Sequence, residues 1–189
     1  MNMIFRALRK DPDKRVANEV YFMVAEASRR EPFFVDAGAP DNVEGRFEVL
    51  SIHMFLVLRR LKQDGDRARR FSQYLFDAFF NSMDDALREL GVGDMSIGKR
   101  IRNMAEAFYG RTGAYDEALE KGDAELLSAA IARNIYGVED IPAGANEIAR
   151  YMMKTDQVLK ETGIDDIFKG AFAFPPIQMD PTTDAASAK

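Results

Sequence analysis

A long helical pattern between residues 71 and 111 constrains the fold of this chain more than any other feature of its sequence. Residues 71–90 carry two apolar stripes with i, i+3 and i+4 spacing, and a glycine turn separates them from a segment that carries one stripe. Because two stripes leave little surface for water, we expect the first helix to lie at the centre of a bundle. The three stripes are Phe71, Leu75, Ala78 and Phe79; Phe76, Phe80, Met83 and Leu87; and Ile97, Ile101, Met104, Ala105 and Phe108.

The remainder of the chain repeats this helical spacing, interrupted by residues that start and end helices. Asp11-Pro12 has the residue types of a helix start, and Asp41 followed by Glu44 has those of a capping box. No alternating run is long enough for a strand, and 189 residues with 47% hydrophobic side chains can bury one core. We therefore predict an all-α, single-domain bundle of about six or seven helices with no sheet. Further predicted helix starts are Asp94 or Ser96, Asp123, and Pro142 or Asn146.

The pattern divides the chain into three parts. Residues 1–10 form a basic amphipathic N-terminal segment, which either binds an anionic membrane surface or docks on the bundle. Residues 11–163 form the helical domain, because the last helical pattern ends at Gly163. Residues 164–189 combine an irregular apolar segment with a mobile tail, and we expect the part after Pro176 to contribute nothing to stability. The N-terminal segment has Met1, Ile4, Phe5 and Leu8 on its apolar side and Arg6, Arg9 and Lys10 on its basic side.

Composition excludes several classes of function. The sequence has no cysteine, which excludes disulfides, thiolate nucleophiles and cysteine-ligated metal sites. The net charge of −5 disfavours binding through phosphate contacts, so no specific nucleic acid is expected. The longest apolar run, residues 54–58, is far shorter than the roughly 20 residues that span a bilayer. We expect a cytoplasmic protein, either free or peripheral on the inner face of the cytoplasmic membrane.

His53 is the only histidine and lies within an apolar helical pattern. Such a residue is typically a hydrogen-bonded part of the core, because a metal site would need further histidine or cysteine ligands. The sequence also offers no nucleophile–base pair. We therefore predict no catalytic residue, no metal and no cofactor. The alternative is a small helical ligand carrier or enzyme with a pocket beside His53.

The stretch from Gly93 to Lys99 matches the GxxxxGK spacing of a phosphate-binding loop. Arg100 stands where that motif has serine or threonine, and an amphipathic helix precedes the stretch where the motif requires a buried strand. We interpret the glycines as helix-terminating residues: Gly91 and Gly93 end one helix before the next begins.

Four stretches resemble the ubiquinol–cytochrome c chaperone family. They are VEGRF at 43–47, HMFLVLRRLK at 53–62, the hairpin at 75–111 and ARNIYG at 132–137. The resemblance covers about residues 16–137 and implies an all-helical, non-enzymatic protein that assists assembly of the cytochrome bc1 complex. In mitochondria the family holds newly made cytochrome b near the ribosome, so cytochrome b is the expected client, with a second assembly factor or the ribosome as further partners. Because no mitochondrial transit peptide is recognisable, the sequence resembles the bacterial form.

The leading hypothesis is therefore an assembly chaperone for cytochrome b. Such a chaperone needs a surface that binds apolar segments reversibly and charged groups that set their orientation. The alternatives are the pocket protein described above and a membrane-peripheral scaffold that acts through residues 1–10. The charged groups beside the glycine turn form either a solvated face or part of the client surface. The predicted partner-binding residues are Asp84, Asp85, Arg88, Glu89, Asp94, Met95, Lys99, Arg100 and Arg102.

Overall fold

A computed structural model describes residues 11–62 and 64–179, and these residues form seven α-helices and no strand. The all-α prediction is confirmed, whereas the expectations for residues 1–10 and 180–189 lie outside the described residues. Within the described ranges, no helix combines the length and apolarity needed to cross a membrane. The helices are α1 Pro12–Ser28, α2 Val43–Leu61, α3 Gly65–Glu89, α4 Asp94–Lys121, α5 Ala124–Ile131, α6 Ala143–Glu161 and α7 Ile164–Ile167, with a 3-10 turn at Glu31–Phe33 and a π-helical turn at Ala132–Tyr136.

Side-chain caps explain where three of the helices begin. The carboxylate of Asp11 accepts from the backbone N–H of Asp13 at 3.0 Å, and Asp123 accepts from that of Leu126 at 2.9 Å, as predicted. The predicted cap at Asp41 is wrong by one residue. Asn42 caps α2 by accepting from the Gly45 N–H at 2.8 Å, and Asp41 instead pairs with Arg46 at 2.6 Å.

The helix at the centre of the bundle is α2, and the prediction that the 71–90 helix lies there is wrong. α2 buries an unbroken run from Phe47 to Val57 and contacts α1, α3, α4 and α6. α3 buries only one of its two stripes, the one that contains Phe71, Leu75 and Phe79. The other stripe is only half-buried where it packs against the core. Its members are Phe76, Phe80 and Met83, with Leu87 alone fully covered.

The central hairpin is longer than its pattern suggests. α4 continues without interruption through Thr112 and Gly113 to Lys121, so the two helices form an extended antiparallel pair. At the far end of the pair, Tyr115 of α4 is buried against Phe55 of α2, with the ring centroids 5.8 Å apart. The hairpin is therefore anchored in the core at one end, and its glycine turn lies at the other.

The boundary expected at Gly163 does not mark the end of the packed core. α7 follows directly and buries Ile167, and the chain after α7 places Phe174 and Ile177 in the hydrophobic core. Arg30 fastens this chain by donating to the carbonyl oxygens of Phe174 and Pro175, the latter at 2.7 Å. An extended segment has no helical period, which explains why the sequence pattern missed its burial.

Candidate partner-binding surface

The turn of the central hairpin is short and held by backbone hydrogen bonds. α3 ends at Glu89, and the N–H groups of Gly91 and Val92 donate back to the carbonyls of Arg88 and Leu87 at 2.9 and 3.0 Å. Gly91 has φ +77°, a left-handed conformation that favours glycine at the end of a helix. Gly93 is then the N-cap of α4, without a side-chain hydrogen bond.

One arginine connects the two helices at this turn. The guanidinium of Arg88 donates to Asp84 at 2.6 Å and to Asp94, in the first turn of α4, at 2.5 Å. The hydrogen bond to Asp84, followed by that to Asp94, raises the pKa of Arg88 above its usual value. The expectation that Asp94 or Ser96 caps α4 is therefore wrong, because the Asp94 carboxylate binds Arg88 instead.

Other predicted site residues around the turn take no part in holding the fold. The exposed cations of the α4 face, Lys99, Arg100 and Arg102, form no ion pair with a described residue. On α3, Asp85 and Glu89 likewise form no ion pair within the described part of the chain. Exposed charges of this kind contribute little to stability even when paired, so their side chains are available to a partner.

Met95 is the most exposed large apolar residue among those described, with 99% of its surface accessible. It lies in the first turn of α4, between the acidic end of α3 and the basic face of α4. The nine predicted residues lie on the end of α3 and the first turns of α4, and the contacts within this set join Asp84, Arg88 and Asp94.

An apolar groove beside the turn was not predicted from the sequence. It has a volume of about 260 Å³ and lies between the end of α1, the start of α2, the C-terminal half of α3 and the N-terminal half of α4. Two of its lining residues, Leu90 and Val43, are 63% and 50% exposed. Arg29 and Arg46 stand at its edge. We call this the methionine groove; it is lined by Val43, Phe47, Leu50, Met83, Ala86, Leu87, Leu90 and Met104.

The methionine groove does not follow from any one helical pattern, because it joins residues from α1, α2, α3 and α4. By its spacing in the sequence, Val43 belongs to the buried stripe of α2. It occupies the first turn of that helix, however, and is half exposed there. Met83 and Met104 pack against the core and are only partly buried, so they also line the groove. A methionine side chain is flexible enough to suit both environments.

His53 has the structural role predicted for it. The side chain is fully buried, Nδ1 lies 2.7 Å from the carbonyl oxygen of Val49, and Nε2 lies 2.7 Å from the hydroxyl oxygen of Tyr151. Burial lowers the pKa of the imidazole to about 4, so the ring is neutral at ordinary pH. Because both nitrogens already have partners, the ring offers no open position to a ligand or metal.

The structure also shows what the GxxxxGK stretch forms. The stretch from Gly93 to Lys99 is the N-cap and first turns of α4, so its glycines do not form a phosphate-binding loop. In the described ranges, no group of three or more histidine, cysteine, aspartate or glutamate side chains is placed to hold a metal ion.

The chain matches the family described as "Ubiquinol-cytochrome C chaperone" over residues 35–174. The match extends well beyond residue 137, where the resemblance quoted from the sequence ends. Of the solved structures, the crystal structure of the Cbp3 homolog from Brucella abortus is similar, with a TM-score of 0.82 and 34% sequence identity. The similarity covers 94% of this chain and 100% of the Brucella chain.

Vertebrate proteins named ubiquinol-cytochrome c reductase complex assembly factor 1 are also similar. The Xenopus laevis protein is 25% identical over 166 residues, which is 87% of this chain and 82% of that protein. The human protein is 25% identical over 167 residues, 87% of this chain and 55% of that protein. The chain thus spans about half the length of the human relative and, at 52%, of the mouse relative.

Proposed function

The chain belongs to the ubiquinol–cytochrome c chaperone family, and from this we propose that it supports assembly of the cytochrome bc1 complex by binding newly made cytochrome b. The family is one of chaperones and assembly factors rather than enzymes, which agrees with the non-enzymatic function expected from the sequence. We propose that the client binds around the turn of the α3–α4 hairpin. The protein would act on the cytoplasmic side of the membrane that receives cytochrome b.

One observation carries this proposal: an open apolar groove and a set of unpaired charges lie on the same hairpin. Leu90 lines the methionine groove and follows Glu89 directly, while Met104 lies one turn after Arg100. A membrane-protein client presents apolar segments flanked by polar loops. The groove is suited to the apolar segments, and the charged turn is suited to the polar loops.

The apolar part of the surface supports weak, reversible binding. If a client covered the accessible surface of Val43, Leu90 and Met95, each residue would contribute on the order of 1 kcal/mol to the binding free energy, at roughly 25 cal/mol per Å² of apolar area. The freedom lost on association costs at least as much as these three residues contribute, so together with the rest of the groove they support only weak binding. A chaperone has to release its client, and the methionines allow segments of different shape to be accommodated.

The charged part of the surface supports orientation. Lys99, Arg100 and Arg102 give one side of the turn a positive potential, while Asp85 and Glu89 give the other a negative one. Complementary charges mainly set the rate and direction of encounter, and surface charges act more weakly at high salt. We therefore expect the cations to select the orientation of the client and the groove to retain it.

The proposal is tested by deleting the gene and recording reduced-minus-oxidised spectra of the membranes. The expected result is loss of bc1-associated b-type haem absorbance, with other b-type cytochromes unchanged, and restoration by a plasmid-borne copy. A variant with Val43→Asp and Leu90→Asp, both at exposed positions of the methionine groove, should fold but fail to restore bc1 complex. Normal bc1 content in the deletion strain would contradict the proposed function, and full restoration by the double variant would exclude the methionine groove as the client site.

A further inference from the structure

A strongly acidic surface lies beside the methionine groove. It is built by residues 31–45 and 134–149, which contain four and three acidic residues and no lysine or arginine. The whole chain has a net charge of only −5, so negative charge is concentrated on these two segments. We call this the acidic surface; its exposed acids are Glu31, Asp36, Asp41, Glu44, Glu139 and Asp140.

The two segments meet at the carbonyl group of Ala37. Its oxygen accepts a hydrogen bond from the hydroxyl of Tyr136 at 2.6 Å. A Cβ atom at Gly144 would overlap the same oxygen, so the first turn of α6 packs directly on the loop that precedes α2. Residues 35 and 36 and residues 138–141 are therefore all within a few residues of one contact point.

Most acids of this surface take no part in holding the fold. Asp41 pairs with Arg46 at 2.6 Å. Asp36, Glu139 and Asp140 form no ion pair with a residue in the described ranges. Carboxylates of like charge repel one another, and a cationic partner would relieve this repulsion.

Apolar side chains are exposed among these acids. Val35 is 68% exposed, Val138 is 42% exposed and Ile141 is 37% exposed. Apolar groups rimmed by charge are typical of a surface that binds another protein, whereas a solvated face needs only the charges. The acidic surface is thus suited to a partner segment that carries both cationic and apolar side chains.

The acidic surface continues into the methionine groove. Arg46 stands at the edge of the groove, and its guanidinium lies 5.1 Å from the centre of the Phe34 ring, the residue before Val35. Val43, which lines the groove, follows Asp41 by two residues. An apolar segment that occupied the groove would therefore have its flanking residues within reach of the acids.

Membrane proteins carry an excess of lysine and arginine in the short cytoplasmic loops that flank their membrane segments. We propose that the acidic surface binds these basic cytoplasmic flanks of the client, while the methionine groove covers the adjoining apolar residues. Val35, Val138 and Ile141 would contact the apolar stems of the lysine and arginine side chains. This inference rests on the proposed function, because it requires a membrane-protein client that is met on its cytoplasmic side.

The two charged surfaces together give the client segment a direction. The exposed cations Lys99, Arg100 and Arg102 belong to α4, whereas the acidic surface precedes α2 and α6. A basic flank is attracted by the acidic surface and repelled by the α4 cations. The segment would therefore enter the groove with its basic end toward Asp36 and Asp140.

The test uses two fluorescent synthetic peptides and measures their binding to the purified chain by anisotropy at low salt. One peptide copies the end of a cytochrome b membrane segment with its basic cytoplasmic flank, and the other has every lysine and arginine replaced by glutamine. We expect the native chain to bind the basic peptide roughly tenfold more tightly, since three exposed ion pairs of ordinary strength together change an affinity by about that factor.

The test variant carries Asp36→Asn, Glu139→Gln and Asp140→Asn, and it should bind both peptides equally. The control variant has the same change of charge at exposed acids of the opposite end of the bundle, where α4 and α6 end and α5 begins. It should keep the preference of the native chain for the basic peptide. The control substitutions are Glu120→Gln, Glu125→Gln and Glu161→Gln.

Equal affinity of the native chain for the two peptides would overturn the inference. So would a preference that the test variant keeps, or one that the control variant loses to the same extent. Failure here is distinct from failure of the proposed function. Loss of bc1 complex in the deletion strain together with equal peptide affinities would contradict only binding at the acidic surface, whereas normal bc1 content in that strain would contradict the proposed function.

Discussion

The hydroxyl of Tyr151 on α6 donates a hydrogen bond to Nε2 of His53 on α2. The oxygen and the nitrogen are 2.7 Å apart, and both side chains are buried. The direction of the bond follows from the other side of the ring. Nδ1 lies 2.7 Å from the carbonyl oxygen of Val49, which can only accept, so Nδ1 carries the proton and Nε2 is the acceptor. The central helix α2 and helix α6 are thus joined by a buried polar contact.

Replacing Tyr151 by phenylalanine should destabilise the fold by about 1–3 kcal/mol, because Nε2 of His53 would be left without a donor in the core. Urea unfolding, followed by circular dichroism, measures the change. Tyr109→Phe is the matched control, since Tyr109 is exposed and the same hydroxyl is removed there. Equal stability of the Tyr151→Phe variant and the native protein would show that the bond contributes nothing.

The neutral state of His53 predicts how stability responds to acid. Burial lowers the pKa of the imidazole from 6.5 to about 4 in the folded protein. Neutral His53 therefore contributes to the free energy of unfolding. This contribution is fully present above pH 6.5 and is lost as the pH falls from 6.5 toward 4, because the histidine of the unfolded state binds a proton first. The full contribution is on the order of 3 kcal/mol. The free energy of unfolding is measured at pH 7 and at pH 5. In the His53→Gln variant, the decrease between the two pH values that is due to His53 should be absent.

Glu48 produces the opposite dependence in an overlapping range. Burial raises the pKa of its carboxyl from 4.5 to about 7, although Arg111 lies 2.8 Å away and opposes the shift. This contribution is fully present below pH 4.5 and is lost as the pH rises toward 7. Between pH 4.5 and 6.5 it therefore offsets the loss caused by His53. The Glu48→Gln variant should lose more stability than the native protein between pH 7 and pH 5; an unchanged profile would contradict the assignment.

Arg59 connects three helices, and its removal should be costly. Its guanidinium binds Asp116 of α4 and, at 3.1 Å, Asp156 of α6. Arg59→Met would leave two largely buried carboxylates without this partner, although Lys62 and Lys160 still face them. We expect a loss of about 2–4 kcal/mol, against well under about 1 kcal/mol for Arg46→Met at an exposed pair. Equal effects in urea unfolding would contradict a structural role for Arg59.

Truncation tests the packing of the C-terminal chain. Removal of residues 164–179 with all that follows should lower the melting temperature sharply, since Ile167, Phe168 and Phe174 would be lost from the core. Removal of residues 180–189 alone should leave the melting temperature unchanged. A sharp decrease with the shorter deletion would mean that the last ten residues also pack.

The sequence was sufficient for the class of fold because helical periodicity is a local property. Asp11 and Asp123 act as caps through their own side chains and the next few N–H groups, so their roles could be read directly. Periodicity describes each helix separately, however, and does not say which helix the others surround. For this reason the two stripes of α3 suggested a central position that α2 in fact occupies.

The candidate site was partly predictable for the same reason. Arg88, Asp94 and Lys99 flank a glycine turn, and residues on both sides of a short turn necessarily come together. The methionine groove could not be predicted, since it depends on the approach of Val43 from another helix. Phe174 likewise reaches the ring of His53, with centroids 5.2 Å apart, through an extended chain that has no helical period.

The central claim is that cytochrome b binds at the turn of the α3–α4 hairpin. The most direct test is cross-linking of newly made, radiolabelled cytochrome b to the chain in cells where the altered protein is the only copy. The altered protein carries Lys99→Glu and Arg102→Glu. The matched control carries Arg69→Glu and Lys169→Glu, two exposed cations near the opposite end of α3 with the same total change of charge.

Circular dichroism and the melting temperature should be the same for both variants, because the four side chains are exposed. We expect the Lys99 and Arg102 variant to show several-fold less cross-linked cytochrome b and a corresponding loss of bc1 complex, and the control to resemble the native protein. Normal cross-linking and normal bc1 content with the Lys99 and Arg102 variant as the only copy would contradict the claim and place the client surface elsewhere on the bundle.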